Sequence, residues 1–207
     1  MWDRALVGRS WFPPLPPRDT SSRWHIQYGD PQGITGMIFT DGACRRVWYW
    51  PESARAGWGF AQLAEHGVAT LVYGALPGPM QTSPRAEMFA FFQALQVCVL
   101  PVTVCTDFKG LIDGLALGPK WCLAPRRNNL DLWEAIWGKI SDLGGLHDTL
   151  RVQHVKGHQR GPETFARGNR WADLAATKGR DLHCASKDAR KAMTIANRNF
   201  HNVSTGW

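Results

Sequence analysis

Four carboxylates stand at the margins of different hydrophobic segments: Asp41 in GMIFTDGA, Glu87 in SPRAEMFAFFQAL, Asp107 in VTVCTDF and Asp173 in GNRWADLAA. Acids at the mouth of an apolar core call for a cation, so the set reads as a metal site. His158, in HVKGHQ, precedes the last acid. It adds a side chain that can move a proton near neutrality. Together these groups suit metal-assisted phosphodiester cleavage. Such esters resist hydrolysis because their anionic centre repels the nucleophile and the alkoxide leaves poorly. Two divalent ions about 4 Å apart address both ends, one activating water and the other stabilising the leaving oxygen. Hard oxygen ligands suit two magnesium ions, or manganese in their place, better than thiolates or imidazoles would. Four formal negative charges against two divalent cations cancel.

The elements that must position these acids are readable. Met37, Phe39 and Asp41 alternate onto one face of a first strand, and Thr103, Cys105 and Asp107 onto one face of a second. Each run breaks just after its aspartate, which places both acids at carboxyl ends of strands, where ligands collect in open α/β sheets. Ser83 and Pro84 read as N-cap and first residue of a helix, so Ala86 rather than Glu87 takes the capping-box register. Met88, Phe91, Phe92, Leu95 and Val99 mark that helix's buried stripe. Glu87, four before Phe91, leans toward the sheet. Asp173 borders a helical face of small residues, Ala172, Ala175, Ala176 and Gly179, that permits close approach to a neighbour. Alone it would be an ordinary surface acid; the other three make it a ligand. His158 lies in a loop with Gly157 before it, a setting that suits a group that must move.

The order TDGA, RAEMFAFFQAL, VCTDF, NNLDLWEAI and VQHVKGHQRGPETFARGNRWADLAA resembles the type I ribonuclease H family, which cuts the RNA strand of RNA/DNA hybrids. The likeness runs from about Gly36 to Gly179, and HVKGH followed by GNRWADLAA is its most specific part. It implies that Asp41, Glu87, Asp107 and Asp173 bind metal and that His158 is the mobile histidine assisting nucleophile activation or product release. Arg85 and Cys44 stand where the family often has such residues and become candidate nucleic-acid contacts. Two stretches depart from the family's pattern: Phe108 and Lys109 follow Asp107, and Gln81-Thr82-Ser83-Pro84 replaces a short Asn-rich stretch. Both bear on substrate preference, and neither touches the acids. The resemblance leaves open a free-standing enzyme or a retroelement polyprotein fragment. Two other readings remain beside it: a catalytically silent nucleic-acid-binding module of this fold, and a DNA-processing nuclease or integrase of the same superfamily. All four acids being present argues against the first, and the HVKGH and GNRWADLAA pairing against the second.

Composition agrees with a polyanionic partner such as an RNA/DNA hybrid. The 207 residues carry a formal charge of +7, and the sequence pI is about 9.5. Residues 31–180 alone hold 16 Lys and Arg against 12 Asp and Glu, although four of those acids are assigned to metal. Lys120, Trp121, Arg126 and Arg127 fall between two expected helices, where cationic and aromatic side chains suit backbone tracking and base stacking; Lys109 joins them as a nucleic-acid contact. Trp133 and Trp137 in LWEAIW read as core.

Five cysteines without a CxxC pair read as reduced thiols of an intracellular protein, nuclear or cytoplasmic, and the Arg-containing start is also compatible with a mitochondrial signal. No apolar run reaches membrane-spanning length. The chain divides into a Pro-rich N-terminal tail (1–30), an α/β domain (31–180) and a basic C-terminal tail (181–207). Within the domain the pattern predicts strands at 36–41, 55–63, 68–76, 102–106 and 149–155, with a turn at His66 and Gly67 between the second and third. It predicts helices at 84–99, 108–117, 129–143 and 167–179. A mixed five-stranded sheet flanked by helices, the RNase H-like architecture, is the assembly expected.

Overall fold

The computed structural model describes residues 23–47, 50–65, 67–155 and 163–183, with the backbone alone at 46–47 and 50–53. His66, His158, Cys184 and most of both expected tails lie outside the described residues. The strands are β1 (His25–Tyr28), β2 (Ile34–Val47), β3 (Trp50–Ala64), β4 (Gly67–Ala75), β5 (Cys98–Thr106) and β6 (Leu150–His154). The helices are α1 (Ser83–Val97), α2 (Lys109–Leu117), α3 (Pro119–Cys122), α4 (Leu130–Asp142) and α5 (Glu163–Asp181).

The six strands form one mixed sheet in the order β1-β4-β3-β2-β5-β6. β1 to β4 pair antiparallel, while β5 runs parallel to β2 and β6 parallel to β5. Parallel neighbours need long crossovers. Here α1 connects β4 to β5, and α2 to α4 connect β5 to β6. The expected fold class is therefore found, with six strands instead of five. The added strand, β1, lies inside the segment assigned to a tail. It has four residues, of which three are exposed, so no buried alternation announces it.

Alternation along the strands separates two cores. On one face Ile38, Trp58, Phe60, Val72 and Val104 pack with Phe91 and Leu95 of α1 and with Trp133, Ile136 and Ile140 of α4. On the other, Phe39, Cys105 and Val155 meet Ala172, and Ala61 and Leu71 meet Ala175 of α5. The small-residue face of α5 does bring it close to the sheet. A Cβ on Gly59 would sit 2.4 Å from the Ala175 Cβ, and one on Gly57 would sit 1.8 Å from the Arg180 nitrogen. Helix and strand backbones can approach this closely only because both sides lack bulk.

Two local expectations need correction. The N-cap of α1 is Thr82, not Ser83: Thr82 is extended (φ −125, ψ 152) and its side chain accepts a hydrogen bond from the Arg85 nitrogen. Glu87 is then the fifth residue of the helix, past the first turn. Asp41 also does not end its strand, because β2 runs on to Val47 and Asp41 pairs with Gly59 across the β2–β3 ladder. What ends there is the parallel ladder with β5, whose last pair is Thr40 and Thr106.

Candidate active site

That last pair fixes the geometry. With Thr40 beside Thr106 on adjacent parallel strands, the next residues, Asp41 and Asp107, stand side by side. Glu87 arrives from α1, which lies against β2 so closely that a Cβ on Gly42 would come within 2.3 Å of the Glu87 nitrogen. One carboxylate oxygen from each of Asp41, Glu87 and Asp107 lies within 4.8 Å of the others. Asp41 and Glu87 are buried and Asp107 half-buried.

Such a cluster is electrostatically unfavourable without compensation. Burial, then the neighbouring Asp107 charge, pushes Asp41 up from 3.8 to about 6. Burial and the charges of Asp41 and Asp107 raise Glu87 well above the ordinary carboxylate range. A hydrogen bond between the two carboxyls favours the ionised form of Asp41 and the protonated form of Glu87, so the pair shares a proton. Gly42 N–H also donates to Asp41 Oδ1 at 2.7 Å. Oε2 of Glu87 is buried without a hydrogen-bond partner. Three converging hard oxygens, with an unpartnered buried acceptor on one of the same carboxyls, fit a divalent cation.

Asp173 is outside this group of three. It is exposed on α5, near enough that its charge adds slightly to the rise of Asp41. His158 lies outside the described residues. Two residues singled out by no sequence argument touch Asp107: Asn169 Nδ2 donates to its Oδ2 at 3.5 Å, and His154 Nε2 meets its main-chain oxygen at 3.2 Å. Asn169 stands four before Asp173 on the same helix, a spacing that could have drawn attention to it.

The candidate nucleic-acid contacts are spread over several elements. Cys44 lines a cavity of about 580 Å³ with Gln81, Thr82, Ser83, Asn128 and Asn129. The Arg85 guanidinium is held by both oxygens of Asp131 and by Asn129 Oδ1, tying α1 to the start of α4. Lys109 pairs with Asp113 one turn along α2. Lys120 and Arg126 are exposed, and Arg127 lies over the Trp121 ring at 3.7 Å from its centroid. Cys44, Cys98, Cys105 and Cys122 carry thiols, and burial pushes Cys105 up to about 12.

Residues 35–181 match the sequence profile of the RNase H family. The chain belongs to that family. No curated protein matches it significantly. Among solved structures, the RNase H domain of PFV is 23% identical over 70% of this chain and 94% of its own, with a TM-score of 0.54. The foamy viral protease-reverse transcriptase in complex with an RNA/DNA hybrid is 16% identical over 79% of this chain, with a TM-score of 0.54; the match spans 22% of that larger chain. LC9-RNase H1, described as a type 1 RNase H with the type 2 active-site motif, is 17% identical over 72% of this chain and 74% of its own, with a TM-score of 0.53. These likenesses carry the fold. No helix among the described residues is long and apolar enough to cross a membrane.

Proposed function

We propose that this RNase H family protein is an endonuclease that hydrolyses the RNA strand of RNA/DNA hybrids. One observation carries the reading: Asp41, Glu87 and Asp107 converge within 4.8 Å at the one place where the parallel ladder ends and α1 meets β2. Asp41, Glu87 and Asp107, with Asp173 from α5, would hold two magnesium ions, with manganese able to substitute. When bound, the ions supply activation of water and charge neutralisation at the leaving oxygen. The chain's own contribution is two desolvated carboxylates, Asp41 and Glu87, beside the half-buried Asp107. Ligation would require the ionised forms of Asp41 and Glu87, so the pair would release its shared proton on binding cations. Asp173 is exposed on α5, close enough for its charge to be felt at Asp41, and would complete the ligand set from that helix. To His158 the reading gives proton transfer near neutrality. Lys120, Trp121, Arg126 and Arg127 would track the hybrid's backbone, and the solved foamy viral enzyme bound to such a hybrid supports that partner.

Cleavage of one labelled hybrid by the wild type, Asp41→Asn and Asp107→Asn in magnesium tests the assignment. Each variant loses a charged ligand, and activity is expected to fall by more than about a hundredfold, the order seen when charge stabilisation of a transition state is removed. Near-normal turnover in either variant would show that the acids are not the metal site.

A further inference from the structure

Asp107 is the first residue beyond β5, where ladder hydrogen bonding stops and an aspartate would ordinarily be free to swing. Its surroundings prevent that. On one side the carbonyl of Thr106 accepts from Val155 N–H at 2.9 Å. On the other, Phe108 N–H donates to the Thr106 hydroxyl at 3.1 Å. Between these, the main-chain oxygen of Asp107 lies 3.2 Å from His154 Nε2 at the end of β6. A carbonyl can only accept, so Nε2 carries the hydrogen. The side chain is restrained from a third direction, because Asn169 Nδ2, on α5, donates to Asp107 Oδ2 at 3.5 Å.

We propose that His154 and Asn169 are positioning residues for Asp107, His154 fixing its backbone and Asn169 its carboxylate, so that a divalent cation meets a pre-oriented ligand. This rests on the metal-site reading given above. Three elements thereby converge on one acid: β5 supplies it, β6 holds its main chain and α5 holds its side chain. The need is physical. A ligand at a frayed strand end loses side-chain entropy each time an ion binds, and hydrogen bonds from outside the ligand set remove that cost in advance. Neither residue is a core residue: His154 is exposed and Asn169 only half-buried. Their removal should therefore spare the fold. α5 would then serve the site twice, through Asn169 and, one turn later, Asp173.

Calorimetric titration of the full chain with manganese chloride, with Tm measured alongside, tests this. His154→Leu and Asn169→Leu keep bulk but remove the donors, and each should weaken manganese binding about tenfold, as expected for lost outer-shell partners, while Tm stays near wild type. His154→Gln, whose amide nitrogen can reach the position of Nε2, should restore the affinity. Wild-type affinity in both Leu variants would overturn the proposal. So would a His154→Gln variant as weak as His154→Leu, or losses of affinity matched by falls in Tm, since these mark a merely structural role. A wild type that binds no manganese would instead overturn the metal-site reading, and this inference with it.

Discussion

A buried carboxylate beside two others is tolerated only when a proton or a cation compensates it, and Asp41 is in that position. Its pKa of about 6, against an ordinary 3.8, means that the folded chain holds a proton there that the unfolded chain has already released between those values. The stabilising contribution is complete below the ordinary value and is lost as pH rises through about 6. Without divalent ions, wild-type stability should fall over that window. Asp41→Asn should flatten the fall and be more stable than wild type near neutrality by on the order of 1–3 kcal/mol. Urea unfolding from acid to neutral pH in a chelator checks this, and an Asp41→Asn protein less stable at neutrality would contradict it. At this scale the convergence of Asp41, Glu87 and Asp107 was legible because type and flanking pattern mark them. The groups that restrain Asp107 were not, since Asn169 and His154 lie 62 and 47 residues away in sequence and no local period reports such contacts.

Among the elements, α1 and β2 matter most, because their contact delivers Glu87. Gly42 is the hinge of that contact. A Cβ there would lie 2.3 Å from the Glu87 nitrogen and 2.5 Å from the Ala86 carbonyl carbon, both backbone atoms of α1 that cannot rotate away. Gly42→Ala must push the helix outward and carry Glu87 with it. Overpacking of this kind costs about 1–3 kcal/mol, and cleavage should fall further than the lost folded fraction accounts for. Gly138→Ala provides the contrast. That glycine is in the interior of α4 with nothing within 4 Å of its added Cβ. It should gain about 0.5–1 kcal/mol. Thermal melts with parallel kcat measurements would separate the two; Gly42→Ala with normal stability and activity would mean that α1 is not rigidly seated. Periodicity located α1 to within two residues and the C-terminal ends of β5 and α5 equally well, while the N-terminal ends of both β5 and α5 lie four residues earlier than expected. It misplaced the end of β2 because Asp-Gly reads as a strand break, whereas the β2–β3 ladder continues through it. It missed β1 and the four-residue α3 because elements that short bury too little to impose a pattern.

Across the whole molecule, the +7 formal charge must act through particular side chains. Across α3 and the segment that joins it to α4, Arg127 is engaged by the Trp121 ring, which leaves Lys120 and Arg126 as the exposed cations. Replacing Lys120, Arg126 and Arg127 together by Ala should weaken hybrid binding and reduce its log–log salt slope by about 2, near 0.9 for each of two lost phosphate contacts. Binding titrations across a salt series would show it, and an unchanged slope would mean the segment is solvated surface. The α/β class came through from sequence at this scale, since alternation and helical period are strong over long elements; of the four acids expected to group, Asp41, Glu87 and Asp107 do and Asp173 stands outside. The paired state of Arg85 and Lys109 did not, because a sequence reports a cation but not its partner. Phosphate contacts hold a duplex without identifying it, so preference for a hybrid must survive their loss. The 2′-hydroxyl is the chemical mark of RNA that a site can sense. The most direct measurement is therefore cleavage of matched RNA/DNA, RNA/RNA and DNA/DNA duplexes, each strand labelled in turn, with magnesium and with a chelator. The account predicts magnesium-dependent cutting of the RNA strand of the hybrid alone; cutting of the DNA duplex, or of no substrate at all, would contradict it.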